Sequence, residues 1–419
     1  MRRVGAAVRG LWVGVCLALL LPPAGAAPRA GASPSAAAPP AVERGPAGPP
    51  GPPSTLLMEV FTGQVLAESD AHRQLAPASL DKLMTLYLTL EAVKAHRLDL
   101  TTTVTVSVDA WRIGRTPRSS RMFLNVGDRV TIEQLLFGLM VASGNDAAQT
   151  LAEAIAASPE QFVDQMNATA ARLGLRDTHF VTPHGLPTPG EHTSAWDMGH
   201  LAREIVAAFP DAVTYTSPRY VTYGGIRQAN WNNLVFRDPR VDGLKTGFTD
   251  EAGFNIVATA SQGPLRLIAV VMGAHTLQLR TASAEALLNM GFARYELVSV
   301  PWQRLVPSSI RVYGGRAARL RLETPRAIEV LVTRDDHSPL TVSEELRVRP
   351  IAPFQRGQEV ATLTIRNATG VLATSPLLAA APVDRGGMLP RLWSLLRYRL
   401  GGLLRHRQTT WTATFVPQQ

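Results

Sequence analysis

Apolar and polar residues alternate with different periods along the chain, and each period predicts a different kind of element. Two apolar runs flank Thr62-Gly63, which is typical of a hairpin. Further on, TIEQLLFGLMVAS has helical spacing, and Thr131 with Gln134 resembles a capping box at its start. The runs GFNIVATAS and LRLIAVVMG are typical of adjacent strands. Because strands from both ends enclose the helices, we expect one α/β domain over residues 55–300.

The pattern changes after residue 300. Short alternating runs separated by turn residues predict a small antiparallel β-domain over residues 301–384. We find no internal repeat in the sequence. The alternating runs are SIRVYGG, ARLRLE, IEVLVT, ELRVRP and EVATLTIR.

Residues 385–407 have a third pattern, with leucines at steps of three and four and arginines between them. A basic amphipathic helix of this kind lies in a membrane interface, with its leucines in the acyl boundary and its arginines near lipid phosphates. The alternative is a helix that packs on its own domain. A short tail, residues 408–419, follows. The leucines are Leu389, Leu392, Leu396, Leu400 and Leu403.

The N-terminal segment has the features of a secretory signal peptide. Arginines within the first nine residues precede the apolar run LWVGVCLALLL, and small residues follow it. We expect residues 1–26 to be removed by cleavage near Ala26; an uncleaved membrane anchor is the alternative. Residues 27–54 are rich in Ala, Pro and Gly and bury too little apolar surface to fold, so they predict a disordered linker.

Composition narrows the function classes. The single cysteine, Cys16, lies in the signal segment, so the mature chain has neither a thiol nor a disulfide. The nine histidines show no metal-ligand spacing, and no Gly-rich phosphate loop follows a strand, so we expect neither a metal nor a cofactor.

The positive charge of the chain lies mainly at its two ends. The formal charge of +9 falls to +6 without the three arginines of the signal segment. The body of the protein is close to neutral, which argues against a nucleic-acid binder. Five of the six remaining charges come from Arg391, Arg397, Arg399, Arg405 and Arg407.

A candidate nucleophile and base stand at the start of PASLDKLMTLYLTLEAV. A serine hydroxyl is a weak nucleophile at neutral pH unless a base lies within hydrogen-bond reach. Lys82 follows Ser79 by three residues, so the two side chains share one face of a helix. Burial among apolar neighbours would disfavour the ammonium and make a neutral amine available. The alternative is an N-cap serine followed by a solvated lysine, and the pair alone favours that alternative.

Two further motifs change this balance. ASGNDAA places Ser143 and Asn145 at a junction between helices. DGLKTGFTDEAGFN places Lys245, Thr246 and Gly247 at the end of a strand. Alone, each has a structural alternative, a capping turn in the first case and a hairpin lysine in the second. In this order, S-x-x-K, S-x-N and K-T-G resemble the signature of the penicillin-binding protein and serine β-lactamase superfamily.

The residues around the motifs narrow the resemblance. SSRMFLNVGDRVTIEQLLFGLMVASGNDAA, MNATAARLGLRDTHFVTPHGLP and DGLKTGFTDEAGFNIVATA closely resemble low-molecular-weight penicillin-binding proteins that are D-alanyl-D-alanine carboxypeptidases. The resemblance runs from about residue 56 to residue 383 and includes APFQRGQEVATL in the β-domain. It implies a β-lactamase/transpeptidase-like fold for the first domain, with an antiparallel sheet flanked by helices, and membrane attachment for the tail helix.

The resemblance also implies roles for the motif residues. Ser79 would attack the carbonyl between the two terminal D-alanines of a peptidoglycan stem peptide, and Lys82 would take its proton. Ser143 would relay a proton toward the departing D-alanine, with Lys245 keeping the cluster electropositive. Asn145 would hold the peptide amide of the substrate.

Further contacts follow from the K-T-G region. The backbone N–H groups of Ser79 and Phe248 would form an oxyanion hole next to Gly247. Thr246 would meet the terminal carboxylate, and Arg280 would be a second carboxylate contact. The alternative for Arg280 is an exposed residue at the start of a helix.

Two positions near the motifs bear on substrate preference and on the choice of base. Many relatives have histidine where Phe248 stands, a difference that bears on substrate preference. His184 in TPHGLP is a candidate base, although a histidine that orders a loop is the favoured interpretation.

Three functions stay open at this point. The first is a periplasmic serine-type D-Ala-D-Ala carboxypeptidase, inhibited covalently by β-lactams and attached to the outer face of the cytoplasmic membrane through its C-terminal helix. The second is a β-lactamase-type hydrolase, disfavoured by Gly144 in the second motif and by the lack of an E-x-x-L-N stretch between Asn145 and Lys245. The third is a non-catalytic wall-binding protein of the same fold, which the intact motifs disfavour.

Overall fold

The computed structural model describes residue 49, residues 51–404, with only the backbone for 400–404, and residues 410–416. Its strands up to residue 274 are β1 (Ser54–Glu59), β2 (Val65–Ser69), β3 (Thr103–Thr105), β4 (Arg129–Thr131), β5 (Tyr220–Tyr223), β6 (Ile226–Ala229), β7 (Val241–Thr249), β8 (Gly253–Gln262) and β9 (Leu265–Ala274). Its helices up to residue 294 are α1 (Lys82–Lys94), α2 (Val108–Gly114), α3 (Ile132–Met140), α4 (Asn145–Ile155), α5 (Pro159–Leu173), α6 (Ala195–Ala208), α7 (Val213–Thr216), α8 (Leu234–Arg237) and α9 (Leu277–Arg294).

One antiparallel sheet, in the order β2-β1-β9-β8-β7, forms the centre of this region. Successive residues of β1 point to opposite faces of the sheet, as the pleat requires. Leu56 and Met58 pack into the core beneath α1, α3, α4 and α6, whereas Leu57 packs with Leu288 of α9 on the other face. The predicted α/β domain, an antiparallel sheet flanked by helices, is therefore confirmed.

Local sequence signals identified several elements correctly. β1 and β2 form the predicted hairpin around Thr62-Gly63. Thr131 and Gln134 form the predicted capping box, with Thr131 Oγ1 accepting from the Gln134 N–H and Gln134 Oε1 accepting from the Thr131 N–H. The β5–β6 hairpin around Gly224-Gly225 was not predicted, although paired glycines between short strands are a usual turn signal.

A second set of strands follows. They are β10 (Tyr295–Ser299), β11 (Ser309–Arg311), β12 (Arg319–Glu323), β13 (Glu329–Thr333), β14 (Leu340–Leu346), β15 (Glu359–Asn367), β16 (Gly370–Ala379) and β17 (Thr410–Phe415), with the helix α10 (Met388–Leu404) between the last two. Six of them form a sheet in the order β11-β12-β16-β15-β14-β17 around a separate apolar core. The predicted antiparallel β-domain is thus present.

Two details of the β-domain differ from the expectation. The run ELRVRP was predicted as a strand, but β14 lies earlier, because Leu340, Val342 and Glu344 are the residues that point into the core. The predicted boundary at residue 300 falls between paired strands, since β10 pairs with β13 along its length. Leu297 and Leu331 from this pair also pack into the core of the first domain.

The C-terminal segment forms both a helix and a strand. α10 packs on the β-domain, with the Gly314 N–H donating to Ser394 Oγ and the rings of Tyr313 and Tyr398 in contact. The expected tail over residues 408–419 contains β17, which pairs antiparallel with β14 and covers its edge. None of the helices in the described part of the chain is both long and apolar enough to span a bilayer.

The predicted signal peptide and most of the predicted linker lie outside the described residues. The last part of that linker is ordered, which corrects the expectation of disorder through residue 54. The Pro52 carbonyl accepts from Arg73 Nη2 at 2.8 Å, the Gly51 carbonyl lies 2.9 Å from His275 Nε2, and Ser54 belongs to β1.

Candidate active site

Ser79 lies on a 3₁₀ turn, Ala78–Asp81, that leads directly into α1. The turn is fixed to the sheet by Asn255 of β8, whose Nδ2 donates to the carbonyls of Ala76 and Pro77 at 3.1 and 3.2 Å. Ala78 adopts the left-handed backbone region, which is uncommon for a residue with a side chain and often marks a constrained site. The half-buried hydroxyl of Ser79 therefore lies on a turn that hydrogen bonds to β8 hold in place.

Lys82 is fully buried, and its ammonium position is surrounded by oxygen atoms. Nζ lies 2.8 Å from Ser79 Oγ, 2.6 Å from Asn145 Oδ1 and 2.6 Å from the His184 carbonyl oxygen. Burial lowers the pKa of Lys82 to about 7, although the carboxylates of Asp81, Asp146 and Glu191 oppose this shift. A substantial fraction of neutral amine is therefore present near pH 7.

The three contacts of Lys82, which an ammonium can make by donating to each oxygen, can also be made by a neutral amine. A neutral amine has two N–H groups and one lone pair, and the two carbonyl-type oxygens, Asn145 Oδ1 and His184 O, can only accept. The lone pair is left for the remaining neighbour, Ser79 Oγ, whose hydroxyl can donate to it. The arrangement thus prepares Lys82 to take the proton of Ser79.

Ser143 and Lys245 form a second pair. Lys245 Nζ donates to Ser143 Oγ at 3.0 Å and to the Thr246 carbonyl at 2.8 Å. Burial, followed by the charges of Lys82 and Arg280, holds the pKa of Lys245 well below its usual value. The role implied by the resemblance, in which Lys245 keeps the cluster electropositive, stays a prediction.

Asn145 is the first residue of α4 and is almost fully buried. Its Oδ1 accepts from Lys82, and its Nδ2 donates to Ser119 Oγ at 2.7 Å. The neighbouring Ser120 donates from Oγ to the Ser143 carbonyl at 2.7 Å. The motif residues are thereby tied to the loop that carries Ser119 and Ser120, a contact that the sequence analysis did not predict.

The K-T-G residues lie on β7, directly beside the nucleophile turn. A side chain at Gly247 would place its Cβ 2.9 Å from the Pro77 carbonyl oxygen and 3.1 Å from the Ser79 nitrogen, so only glycine allows this approach. Thr246 is buried one residue earlier on the strand. The half-buried ring of Phe248 packs on Phe254, with ring centroids 4.3 Å apart. The backbone N–H groups of Ser79 and Phe248 as an oxyanion hole stay a prediction.

Arg280 is buried in α9, which contradicts the alternative of an exposed helix residue. Its Nη2 donates to Asn233 Oδ1 at 3.3 Å, but its Nε is buried with no hydrogen-bond partner among the described residues. Burial lowers its pKa to about 10, so the guanidinium stays charged at neutral pH. A buried cation with an unused donor fits a site that receives an anionic group.

His184 contributes its backbone to the site. Its carbonyl accepts from Lys82, and its ring Nδ1 accepts from the Leu186 N–H at 3.2 Å. Burial, with a smaller contribution from the charge of Lys82, lowers the pKa of His184 to about 3. A base of that pKa is poorly matched to neutral pH, so the structure favours the loop-ordering role. Gly185 next to it has to be glycine, because a Cβ there would lie 1.9 Å from the Ala78 carbonyl oxygen.

Sequence reasoning missed two carboxyl groups behind Lys82, Asp81 and Glu191. The position of Asp81 directly before Lys82 could have indicated an acid near the base. Glu191 is distant in sequence, and only the fold brings it close to Asp81. Within the described ranges, no group of three or more His, Cys, Asp or Glu side chains is arranged to hold a metal ion.

Comparison with known proteins agrees with this geometry. Residues 52–276 match the D-alanyl-D-alanine carboxypeptidase family, and residues 303–385 match the C-terminal domain of penicillin-binding protein 5. The D-alanyl-D-alanine carboxypeptidase DacC of Escherichia coli (strain K12) is 38% identical over 345 residues, which are 81% of this chain and 86% of that protein.

Solved structures are similar over the same region. Penicillin-binding protein 5 of Haemophilus influenzae aligns with a TM-score of 0.71 at 33% identity, covering 80% of this chain and 99% of that one. Penicillin-binding protein D2 of Listeria monocytogenes, in its cefotaxime-bound form, aligns with a TM-score of 0.53 at 30% identity, covering 57% of this chain and 97% of that one. The chain therefore belongs to the D-alanyl-D-alanine carboxypeptidase family.

Proposed function

We propose that this protein is a serine-type carboxypeptidase that removes the terminal D-alanine from peptidoglycan stem peptides through an acyl-enzyme on Ser79. The observation that carries the proposal is the contact of Ser79 Oγ with a buried lysine whose two other neighbours are hydrogen-bond acceptors. This arrangement supplies an activated nucleophile without a metal ion or a histidine base.

In the acylation step, Ser79 Oγ attacks the carbonyl carbon between the two terminal D-alanines while its proton passes to Lys82 Nζ. The negative charge that develops on the carbonyl oxygen is stabilised by the backbone N–H groups of Ser79 and Phe248. Asn145 holds the peptide amide of the substrate, so that the carbonyl lies over the nucleophile.

Breakdown of the tetrahedral intermediate needs a proton for the departing amine. Ser143 provides it through its hydroxyl and regains a proton from the Lys82 ammonium, while Lys245 Nζ, 3.0 Å from Ser143 Oγ, keeps the cluster electropositive. The C–N bond then breaks, D-alanine leaves, and the rest of the peptide stays as an ester on Ser79. A water molecule then attacks the ester carbonyl and gives one proton to the neutral Lys82, which returns it to Ser79 Oγ as the shortened peptide leaves as its free acid.

The preference for a chain end follows from the anion site. Thr246 and the charged Arg280 receive the free carboxylate of the terminal D-alanine, for which the unused Nε of Arg280 is a further donor. An internal peptide bond lacks this carboxylate and would leave Arg280 buried without an anion.

β-Lactams fit the same site as inhibitors, because a penicillin combines a reactive amide with a carboxylate nearby. The cefotaxime-bound form of the Listeria monocytogenes relative supports this extension. We infer that penicillins acylate Ser79 and that the ester persists, which distinguishes this enzyme from a β-lactamase.

The proposal includes attachment to the outer face of the cytoplasmic membrane through α10, after export to the periplasm. Leu389, Leu392, Trp393 and Leu396 are exposed along one side of the helix. The other side packs on the β-domain through Ser394 and Tyr398. The helix can therefore stay docked and still present an apolar stripe and exposed arginines to anionic lipid.

Turnover of a synthetic stem pentapeptide tests the proposed activity. We expect one D-alanine to be released from each peptide that ends in D-Ala-D-Ala. We expect no L-alanine to be released from the matched peptide that ends in D-Ala-L-Ala. Binding of the peptide without any release of D-alanine would instead support a non-catalytic wall-binding protein.

A further inference from the structure

Asp81 and Glu191 form a cluster that the proposed reaction does not use. The side chain of Asp81 is 0% exposed, and among the described residues no group other than a protonated Glu191 can donate a hydrogen bond to its carboxyl oxygens. Its carboxyl group lies in hydrogen-bond contact with that of Glu191. Two carboxylates cannot donate to each other, so this contact forms only when one of the two groups carries a proton.

Glu191 connects the pair to the base by hydrogen bonds. Its Oε1 accepts from the Thr182 N–H at 3.1 Å and from Thr182 Oγ1 at 3.0 Å. Thr182 Oγ1 accepts from the Gly185 N–H at 2.8 Å. These bonds shape the turn that places the His184 carbonyl 2.6 Å from Lys82 Nζ.

The charged groups around Lys82 come from several elements. Burial raises the pKa of Asp146 on α4, and the backbone N–H groups of Met122, Leu124 and Ala147, which donate to its carboxyl group, partly offset this rise. Lys245 on β7 is a neighbouring titratable amine, Arg280 on α9 helps lower the pKa of Lys245, and the ring of His184 is neutral. Of the acids that favour the protonated form of Lys82, Asp81 acts most strongly.

We propose that Asp81 and Glu191 share one proton behind Lys82, and that the single negative charge of this pair sets the pH range in which Lys82 acts as a base. Burial and the adjacent Glu191 raise the pKa of Asp81 well above its usual value, and burial also raises the pKa of Glu191. Both are positioning residues, because they act through Lys82 and touch neither substrate nor nucleophile. The inference rests on the proposed role of Lys82.

If the two acids share one proton, the effects of the two single substitutions on the titration of Lys82 should not add up to the effect of the double substitution. In Asp81→Asn or Glu191→Gln, the remaining carboxyl group ionises with the new amide as donor, so the charge behind Lys82 is kept. The double variant loses this charge altogether. A missing negative charge disfavours the ammonium of Lys82, so its base form persists to lower pH.

The test is the pH profile of Ser79 acylation by a fluorescent penicillin. We expect each single variant to move the midpoint by no more than a few tenths of a pH unit, and the double variant to lower it by roughly one unit. Glu251→Gln is the matched control, because Glu251 lines the same small pocket as Glu191, and its profile should match that of the wild type. Two additive single shifts, or an unmoved midpoint in the double variant, would overturn the inference.

Carboxyl ¹³C NMR of the wild-type protein covers the case in which the double variant does not fold. We expect one of the two carboxyl groups to stay protonated at pH ~7. Two ionised or two protonated groups at that pH would contradict a shared proton. If the wild type is not acylated at all, the proposed function fails, and this result is distinct from a failure of the acid pair.

Discussion

Lys82 Nζ lies 2.8 Å from Ser79 Oγ, on a side chain that is fully buried. The two groups are three residues apart in sequence, yet the contact depends on much more than this spacing. The His184 carbonyl from a distant loop and Asn145 from α4 occupy the other positions around Nζ. The fold therefore buries the lysine and, when its amine is neutral, leaves the lone pair for the nucleophile.

Replacing the base tests this arrangement. Lys82→Arg keeps the positive charge but cannot supply a neutral amine near pH 7. We expect the second-order rate constant for acylation by penicillin to fall by a factor of about a hundred or more. Lys94→Arg at the exposed end of the same helix is the control and should acylate normally. Near-normal acylation of Lys82→Arg would show that another group is the base.

The anion site gives a second prediction. Arg280→Gln removes the buried cation, so the KM for a peptide with a free C-terminal carboxylate should rise by tenfold or more. The KM for the C-terminally amidated peptide should change little, and the preference for the free acid should be lost. Arg237→Gln on the neighbouring α8 is the control, since Arg237 is exposed and pairs only loosely with Glu285. An unchanged preference in Arg280→Gln would exclude Arg280 from carboxylate binding.

Much of this site was predictable from sequence because its motifs are short and local. Ser79, Lys82, Ser143, Asn145 and Lys245 were each identified from their own motif, and the structure brings them together. Asp81 and Glu191 could not be paired in advance, because their contact depends on how the loop before α6 returns to α1.

The C-terminal segment also shows that a local sequence pattern does not predict contacts with distant parts of the chain. The leucine spacing predicted α10, but a helical pattern does not state what the chain does afterwards. β17 has no turn signal that links it to β14, and only the open edge of β14 explains its position.

The β-domain contains a buried acid with a consequence for stability. Burial raises the pKa of Glu344 to about 7 from its usual 4.5, and its carboxyl oxygens have no hydrogen-bond partner among the described residues. Because the folded protein binds this proton more tightly than the unfolded chain, the stabilisation is complete below pH 4.5 and is lost as the pH rises through about 7.

The variant Glu344→Gln stays neutral at every pH. We expect its thermal midpoint to exceed that of the wild type by a few degrees at pH ~8.5. The difference between the two midpoints should be smaller at pH ~5. Glu345→Gln, at the exposed neighbouring position, is the control and should show no such difference. An equal change in the midpoint at both pH values would mean that Glu344 does not titrate in this range.

Membrane attachment is testable without removing β17. The double variant Leu392→Gln with Trp393→Gln reduces the apolar stripe of α10 but leaves the face that packs on the β-domain unchanged. We expect its partitioning onto anionic vesicles to fall by tenfold or more. Val371→Gln, an exposed apolar residue on β16, is the control and should bind like the wild type. Equal sedimentation of all three proteins with vesicles would show that α10 is only a structural helix.

The most direct test of the account is intact-protein mass spectrometry after incubation with penicillin. The wild-type protein should gain the mass of one penicillin, with the adduct mapped to the peptide that contains Ser79, and Ser79→Ala should gain none. The adduct should persist for much longer than a catalytic turnover. A labelled Ser79→Ala protein, or a wild-type protein that is never labelled, would contradict the assignment of Ser79 as the nucleophile.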